Sequence, residues 1–163
     1  MEQQRYQVYR HSYTTVGFVF VAFLTVAVVQ AQPQKQFINP FPIQPPGYTH
    51  VVVVGEGKTI YISGQVPVNE KGETVGKGDF RAQVVQVYNN LQVALAAAGA
   101  TFTDVVKMTT YVVNYKPEDV AVIREVRKGY LSANQPPAST LVGVQALVNP
   151  DYRIEIEVVA VIK

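Results

Sequence analysis

The sequence predicts an α+β fold in which two helices cover one face of a mixed β-sheet, with the element order β-β-α-β-α-β-β. Two segments carry apolar residues at three- and four-residue spacing, which is typical of amphipathic helices. The last segment alternates apolar and polar side chains, as a half-buried strand does. Two helices cover only one side of such a sheet, so its second face needs another partner.

The composition indicates one globular domain and excludes several classes of site. The chain has 163 residues, 48% of them hydrophobic, and a net charge of only +2, which is no electrostatic footprint for nucleic acid. It has no cysteine, which excludes disulfides, thiolate metal sites and a cysteine nucleophile. The two histidines, His11 and His50, leave little for a histidine metal site or a Ser-His-Asp triad. We therefore expect no metal, no cofactor and no nucleic-acid partner.

The amino-terminal segment has the pattern of an export signal. Arg5 and Arg10 precede an apolar run at Val16–Val29. At its end, Val29 and Ala31 are at the minus-three and minus-one positions of a signal-peptide cleavage after Ala31, where modest-sized or small residues are suited. We therefore predict a signal peptide over residues 1–31 and an exported protein, periplasmic or secreted. After cleavage, we expect no stable association with a membrane. The alternative is an uncleaved anchor, because residues 12–31 are long enough to cross a bilayer.

A proline-rich leader is predicted at residues 32–44, before a domain at 45–163. The β-branched segments Val51–Val54 and Thr59–Ser63 indicate the first two strands, placed around a glycine-containing turn.

Two helices and a strand are predicted next. Asp79 can cap the first helix, and Gly99 is placed to end it in the left-handed conformation. The segment Val105–Val113 (VVKMTTYVV), rich in valine and threonine, indicates a buried strand. Pro117 is expected to start the second helix, whose acidic residues lie early and basic residues late, complementing the helix dipole.

The final strands are predicted at Thr140–Val148 and Tyr152–Ile162. Val159 and Val161 lie on the otherwise polar face of the last strand, and Tyr111 adds bulk to the same side of the sheet. We therefore predict that this second face packs against another subunit in an oligomer.

Several segments together resemble the Rid family of reactive intermediate deaminases (RidA-like proteins). Ile62–Pro67 (ISGQVP) is similar to the family's strand-to-loop signature, and Asp104–Thr109 (DVVKMT) to its central block. Pro136–Thr140 (PPAST) and Ile154–Val161 (IEIEVVAV) resemble its carboxy-terminal signature. The resemblance covers roughly residues 45–163 in order.

This resemblance implies a chorismate-mutase-like fold assembled as a homotrimer, with three small-molecule clefts at the subunit interfaces. It also implies hydrolysis of 2-imino or enamino acids to 2-keto acids and ammonia without a cofactor. The alternative is a trimer in the extracytoplasmic space that binds a small ligand in the same clefts without turning it over.

The resemblance also implies the residues of the site. The catalytic positions are Glu157 and Thr140, and the substrate-binding positions are Tyr48, Ser63, Gly64 and Ala138. Glu157 matches the acidic residue proposed to activate the attacking water. We expect Tyr48 and Glu157 to lie within a few ångströms of a cleft that contains Ala138.

Ala138 departs from the family pattern, because RidA-type members have Pro-Ala-Arg-Ser where this chain has Pro-Pro-Ala-Ser, with Ala138 at the arginine position. An arginine there would bind a substrate carboxylate through two parallel hydrogen bonds, which alanine cannot make. We expect Arg153 or Arg81 to supply the missing charge, from a neighbouring position or another subunit. Val142–Val144 likewise stands where members commonly have Val-Glu-Val.

Overall fold

The computed structural model describes residues 34–43 and 45–163. The predicted signal peptide at 1–31 lies outside the described residues. The elements, in chain order, are β1 (Lys35–Ile38), β2 (Val51–Val54), β3 (Lys58–Gln65), α1 (Phe80–Ala97), a short 3₁₀ turn (Phe102–Asp104), β4 (Val105–Val113), α2 (Asp119–Arg127), β5 (Ala138–Val144) and β6 (Ile154–Ile162).

The main sheet has four strands in the order β3-β6-β4-β5, which confirms the predicted mixed sheet. Strand β6 pairs antiparallel with both β3 and β4, whereas β4 and β5 run parallel. Parallel neighbours need a crossover connection, and α2 lies in the segment that joins β4 to β5.

Helix α1 begins and ends as its sequence predicts. The side chain of Asp79 accepts a hydrogen bond from the backbone N–H of Ala82 at 3.0 Å, satisfying one of the free amides of the first turn. Gly99 follows the helix with a φ of +72°, a conformation that costs glycine little. The buried face carries Val84 and Leu91, which pack in the core.

The helices lie on one face of the sheet, as predicted. On β6 the even-numbered side chains from Ile154 to Ala160 are buried in the same cluster as α1 and as Ile123 of α2. The odd-numbered side chains of β6 lie on the other face, which no helix of the described residues covers. Tyr61, on β3 beside Val159, is 80% exposed there.

The predicted first two strands both form, but they do not pair with each other. Residues of the predicted leader form β1, which pairs antiparallel with β2 in a separate two-stranded sheet. Gly57, with a φ of +148°, redirects the chain from β2 into β3, which pairs with β6 instead. The Nζ of Lys35 fixes β1 to the 3₁₀ turn by donating to the carbonyl of Thr103 at 2.8 Å.

Strand β5 is shorter and begins earlier than the predicted Thr140–Val148 segment. It starts at Ala138, directly after the two prolines, and ends at Val144. A turn at 149–152 follows, in which Asn149 accepts hydrogen bonds from the backbone of Asp151 and Tyr152. Among residues 34–43 and 45–163, no helix has the length and apolarity that a membrane crossing requires.

Candidate functional site

The uncovered sheet face holds a shallow depression of about 350 Å³. Its polar wall consists of side chains from three neighbouring strands: Ser63, Lys107, Thr109 and Glu157. Thr109 and Glu157 are direct cross-strand partners of β4 and β6, so their side chains point the same way. The depression therefore places a carboxylate, a cation and two hydroxyl groups together.

Glu157 is half-buried and hydrogen-bonded on this face. The hydroxyl of Tyr111 donates to its Oε1 at 3.1 Å, from a position diagonal to it across β4 and β6. This bond to the carboxylate raises the pKa of the Tyr111 phenol. The other carboxylate oxygen of Glu157 can accept a hydrogen bond from a water or a ligand in the depression.

A β-bulge shapes the edge of the depression. Ile62 pairs with Val158 and Gln65 with Ile156, so Ser63 and Gly64 together lie opposite one residue of β6. A Cβ on Gly64 would collide with the carboxyl group of Glu155, so glycine allows this close approach. Burial, and then the charge of the neighbouring Glu157, raises the pKa of Glu155.

Thr140 and Ala138 share the uncovered face, because their cross-strand partners on β4 are Thr109 and Lys107. The Nζ of Lys107 donates a hydrogen bond to the Thr140 hydroxyl. The sequence analysis did not single out Lys107. The signal is in β4, where Lys107, Thr109 and Tyr111 alternate with buried residues.

Tyr48 lines a different cavity, of about 280 Å³, on the helix side of the sheet. The next residue, Thr49, holds the segment beside the start of β5: its N–H donates to the carbonyl of Pro137 at 3.1 Å, and its hydroxyl to that of Pro136 at 2.6 Å. Within one chain, the structure therefore brings Glu157 together with Ser63, but places Tyr48 in another cavity.

His50 packs in a small aromatic cluster, between the rings of Phe41 and Tyr48. Its backbone N–H donates to Oδ1 of Asn39 at 2.9 Å, and its Nδ1 lies 3.1 Å from the same oxygen. These contacts give His50 a structural role. No group of three His, Asp or Glu side chains in the described part of the chain could hold a metal ion.

The two arginines considered as replacements for the family arginine are both engaged elsewhere. Arg153 forms an ion pair with Asp119 at 2.9 Å, and its guanidinium lies 4.5 Å from the ring centroid of Phe80. Arg81 binds both carboxylate oxygens of Glu125, at 3.1 and 2.6 Å, on the exposed side of the helices. Neither side chain lines the depression or the Tyr48 cavity.

Comparison with known proteins identifies the family. Residues 42–162 match the family model described as endoribonuclease L-PSP. A solved structure of the Rid family, from Yersinia pestis, superposes with a TM-score of 0.73 at 42% identity, covering 78% of this chain and 98% of that one. The chain belongs to the Rid family.

Other Rid relatives include a protein named for its reaction. The 2-iminobutanoate/2-iminopropanoate deaminase of Dermatophagoides farinae is 33% identical over 132 residues, covering 80% of this chain and 98% of the relative. A RutC family protein of Saccharolobus solfataricus is 40% identical over 122 residues, covering 74% of this chain and 90% of the relative. These matches confirm the Rid resemblance and the chorismate-mutase-like fold expected from the sequence.

Proposed function

We propose that this Rid protein forms a homotrimer and hydrolyses small 2-imino or enamino acids to 2-keto acids and ammonia in clefts between its subunits. The observation that carries the proposal is the position of Glu157, half-buried in a depression with Ser63 and Lys107. The deaminase relative from Dermatophagoides farinae supports the choice of reaction.

The uncovered sheet face supports self-association. Tyr61 is 80% exposed on this face and Val142 is 39% exposed, and Val159 lies beside Tyr61. Contact of these apolar side chains with water is unfavourable, so burying them against another subunit is favourable. Tyr48 and Glu157 line separate cavities of one chain, so a cleft bordered by both requires two subunits. Packing this face against a neighbour covers the apolar side chains and forms such a cleft.

Glu157 serves as the general base in the proposed reaction. Its carboxylate takes a proton from water, and the water oxygen attacks the imine carbon while the C=N π electrons move to nitrogen. Glu157 returns that proton to the nitrogen, so the tetrahedral intermediate carries a hydroxyl and an amino group on the same carbon. Glu157 then takes the hydroxyl proton as the C=O bond forms and the C–N bond breaks, and passes it to the departing nitrogen, which leaves as ammonia and gives the 2-keto acid. Tyr111 holds the carboxylate in place through its hydrogen bond.

A trimer that binds a small ligand without hydrolysing it is the second candidate. The observation that favours it is Ala138, the first residue of β5 and the cross-strand partner of Lys107. Alanine cannot form the two hydrogen bonds to a substrate carboxylate that an arginine at this position would form. The hydroxyl of Thr140 accepts a hydrogen bond from Lys107, the charged side chain beside Ala138.

The test measures ammonia release from freshly generated 2-iminobutanoate by the purified protein. We expect turnover above the spontaneous rate, reduced by about 100-fold or more in Glu157→Gln, because the variant has no general base. Glu118→Gln is the control, since Glu118 is exposed at the start of α2. Wild-type turnover no faster than the spontaneous rate contradicts the deaminase proposal and leaves the binding function.

We also propose that the chain is exported and cleaved after Ala31, on the basis of the residues preceding it. The intact mass of protein recovered from the periplasm of an expression host tests this. We expect a chain that starts at Gln32, and no cleavage in Ala31→Arg, because signal peptidases require a small residue there. Recovery of the uncleaved wild type in the membrane fraction contradicts the proposal and supports the anchor.

A further inference from the structure

Among the residues that the structure describes, Arg124 and Arg127 of α2 lack the carboxylate partners that Arg81 and Arg153 have. Arg81 and Arg153 are each paired with an acidic side chain, at 2.6 and 2.9 Å. Within residues 34–43 and 45–163, Arg124 and Arg127 form no ion pair. Their positive charges are therefore available to an anion from outside the chain.

Both arginines line the cavity that contains Tyr48, and no aspartate or glutamate lines it with them. Residues three apart lie on one side of a helix, so the two guanidinium groups face the same space. Arg127 is half-buried, and its Nη2 donates a hydrogen bond to the carbonyl of Gly47 at 2.6 Å, which fixes the guanidinium beside Tyr48. Arg124 is exposed and makes no hydrogen bond to the described residues that would hold it.

The electrostatic setting of Arg127 agrees with this geometry. Burial lowers the pKa of its guanidinium most; Tyr88 raises that pKa, and the nearby charge of Arg124 lowers it. Two like charges beside each other in a partly buried cavity repel, and a bound anion relieves that repulsion. Arg127 remains fully protonated at neutral pH, because arginine loses its proton only in strongly basic solution.

The rest of the cavity is suited to an apolar body with few polar groups. Tyr48, Tyr115 and Leu141 supply aromatic and aliphatic walls, and Thr110 and Ser139 supply hydroxyl groups. Its volume of about 280 Å³ matches a small organic molecule. Both arginines come from α2, so a ligand with one anionic end complements the cavity.

We propose that Arg124, assisted by Arg127, binds the carboxylate of a small organic acid whose apolar part lies against Tyr48 and Leu141. This rests on the proposed function in one respect, that the Tyr48 cavity forms part of the substrate cleft. Arg124 is then the residue that selects carboxylates over neutral analogues. The selectivity comes from α2, since the first position of β5 is the uncharged Ala138.

Calorimetric titration of the purified protein with hexanoate and with hexanamide tests the proposal. The two probes have the same shape and differ in charge. We expect hexanoate to bind about tenfold or more tightly than hexanamide, because a charge-assisted hydrogen bond is stronger than a neutral one. Inorganic phosphate is a third probe, which we expect to bind more weakly than hexanoate because it has no apolar body.

The variants Arg124→Gln and Arg124→Lys separate charge from packing. We expect Arg124→Gln to weaken hexanoate binding about tenfold or more while leaving hexanamide unchanged, and Arg124→Lys to retain part of the affinity. Arg81→Gln is the matched control, an arginine on α1 that does not line the cavity. Circular dichroism of each variant confirms that it is folded.

The outcomes distinguish this proposal from the proposed deamination. Equal binding of hexanoate to Arg124→Gln and wild type, equal binding of hexanoate and hexanamide, or no binding of hexanoate overturns the role of Arg124. Loss of binding in Arg124→Gln supports it, even in a protein that does not turn over 2-iminobutanoate. Turnover that is unchanged by Arg124→Gln, together with unchanged binding, contradicts this proposal alone.

Discussion

The hydroxyl of Tyr111 donates a hydrogen bond to Oε1 of Glu157 across 3.1 Å, from one strand of the sheet to the next. The bond joins two side chains on the uncovered face and holds the carboxylate over the depression beside Ser63. Its strength depends on the negative charge of Glu157, because an ionised acceptor strengthens a hydrogen bond.

The first prediction concerns the ionisation of Tyr111. The bond to Glu157 raises the pKa of Tyr111, because it stabilises the protonated phenol. We therefore expect Glu157→Gln to lower that pKa towards the ordinary tyrosine value. Titration of ring-labelled tyrosine by NMR, with Tyr111→Phe to assign the signal, measures the shift. An unchanged pKa of Tyr111 in Glu157→Gln contradicts the prediction.

The second prediction concerns the contact between Gly64 and Glu155. A Cβ at position 64 meets the end of the Glu155 side chain, and not backbone. We expect Gly64→Ala to destabilise the protein by about 1–3 kcal/mol, and the added Glu155→Ala change to remove most of that loss. Urea unfolding of the single and double variants measures this coupling.

Gly57 provides a control for the comparison of the single and double variants of Gly64 and Glu155. A Cβ there lies 2.5 Å from a methyl group of Val161 and 2.6 Å from the backbone carbonyl of Ile162, at a φ of +148°. We expect Gly57→Ala to be destabilising whether or not Glu155 is shortened. Full additivity of Gly64→Ala and Glu155→Ala in the urea experiment refutes the proposed contact.

The third prediction is a dependence of stability on pH. Burial raises the pKa of Glu155 in the folded protein, so the folded state binds its proton more tightly than the unfolded state. The corresponding stability is present below about pH 4, the pKa range of an unfolded glutamate, and is lost as pH rises through the folded pKa. We expect Glu155→Gln to be at least as stable as wild type at pH 7, with a lower relative stability at acid pH. Thermal unfolding across this pH range measures the difference, and a wild type that gains stability over the variant with rising pH contradicts it.

The fourth prediction concerns the buried hydroxyl of Tyr88. The ring is fully buried and stacks on Tyr130 at a centroid distance of 4.9 Å, while its hydroxyl donates to Sδ of Met108 at 3.7 Å. A thioether is a weak acceptor, so we expect Tyr88→Phe to change the free energy of unfolding by no more than about 1 kcal/mol. Leu91→Ala in the same core is the comparison, expected to cost about 2–5 kcal/mol. A loss in Tyr88→Phe as large as that in Leu91→Ala shows that the hydroxyl has a stronger partner.

The elements predicted best from the sequence are those whose ends are marked by residues within or next to the element. Helix α1 has a capping residue at Asp79 and a left-handed glycine at Gly99, and both act locally. Strand β1 has no such signal, because it is only four residues long within a proline-rich segment. Its pairing with β2 is a contact between distant residues that no local pattern indicates.

The site could be predicted only in part for a similar reason. Alternation along β6 predicts that Glu157 and Val159 share a face, and the structure agrees. It does not indicate which residues of other strands meet them, so Lys107 was missed. The separation of Tyr48 from Glu157 likewise depends on how the segment before β2 attaches to β5, through Thr49.

The position of β6 in the sheet has a consequence for how the chain is made. It lies between β3 and β4, yet it follows every other strand in the chain. During synthesis, β3 has no neighbour in the main sheet until residues more than 90 positions later have emerged, as Lys58 and its partner Ile162 illustrate. Contacts between such distant residues form slowly, because a long loop must be closed before they are made. A nascent chain of this protein therefore keeps β3 without a partner in the main sheet until β6 has been synthesised, and termination before residue 154 removes an inner strand of the sheet.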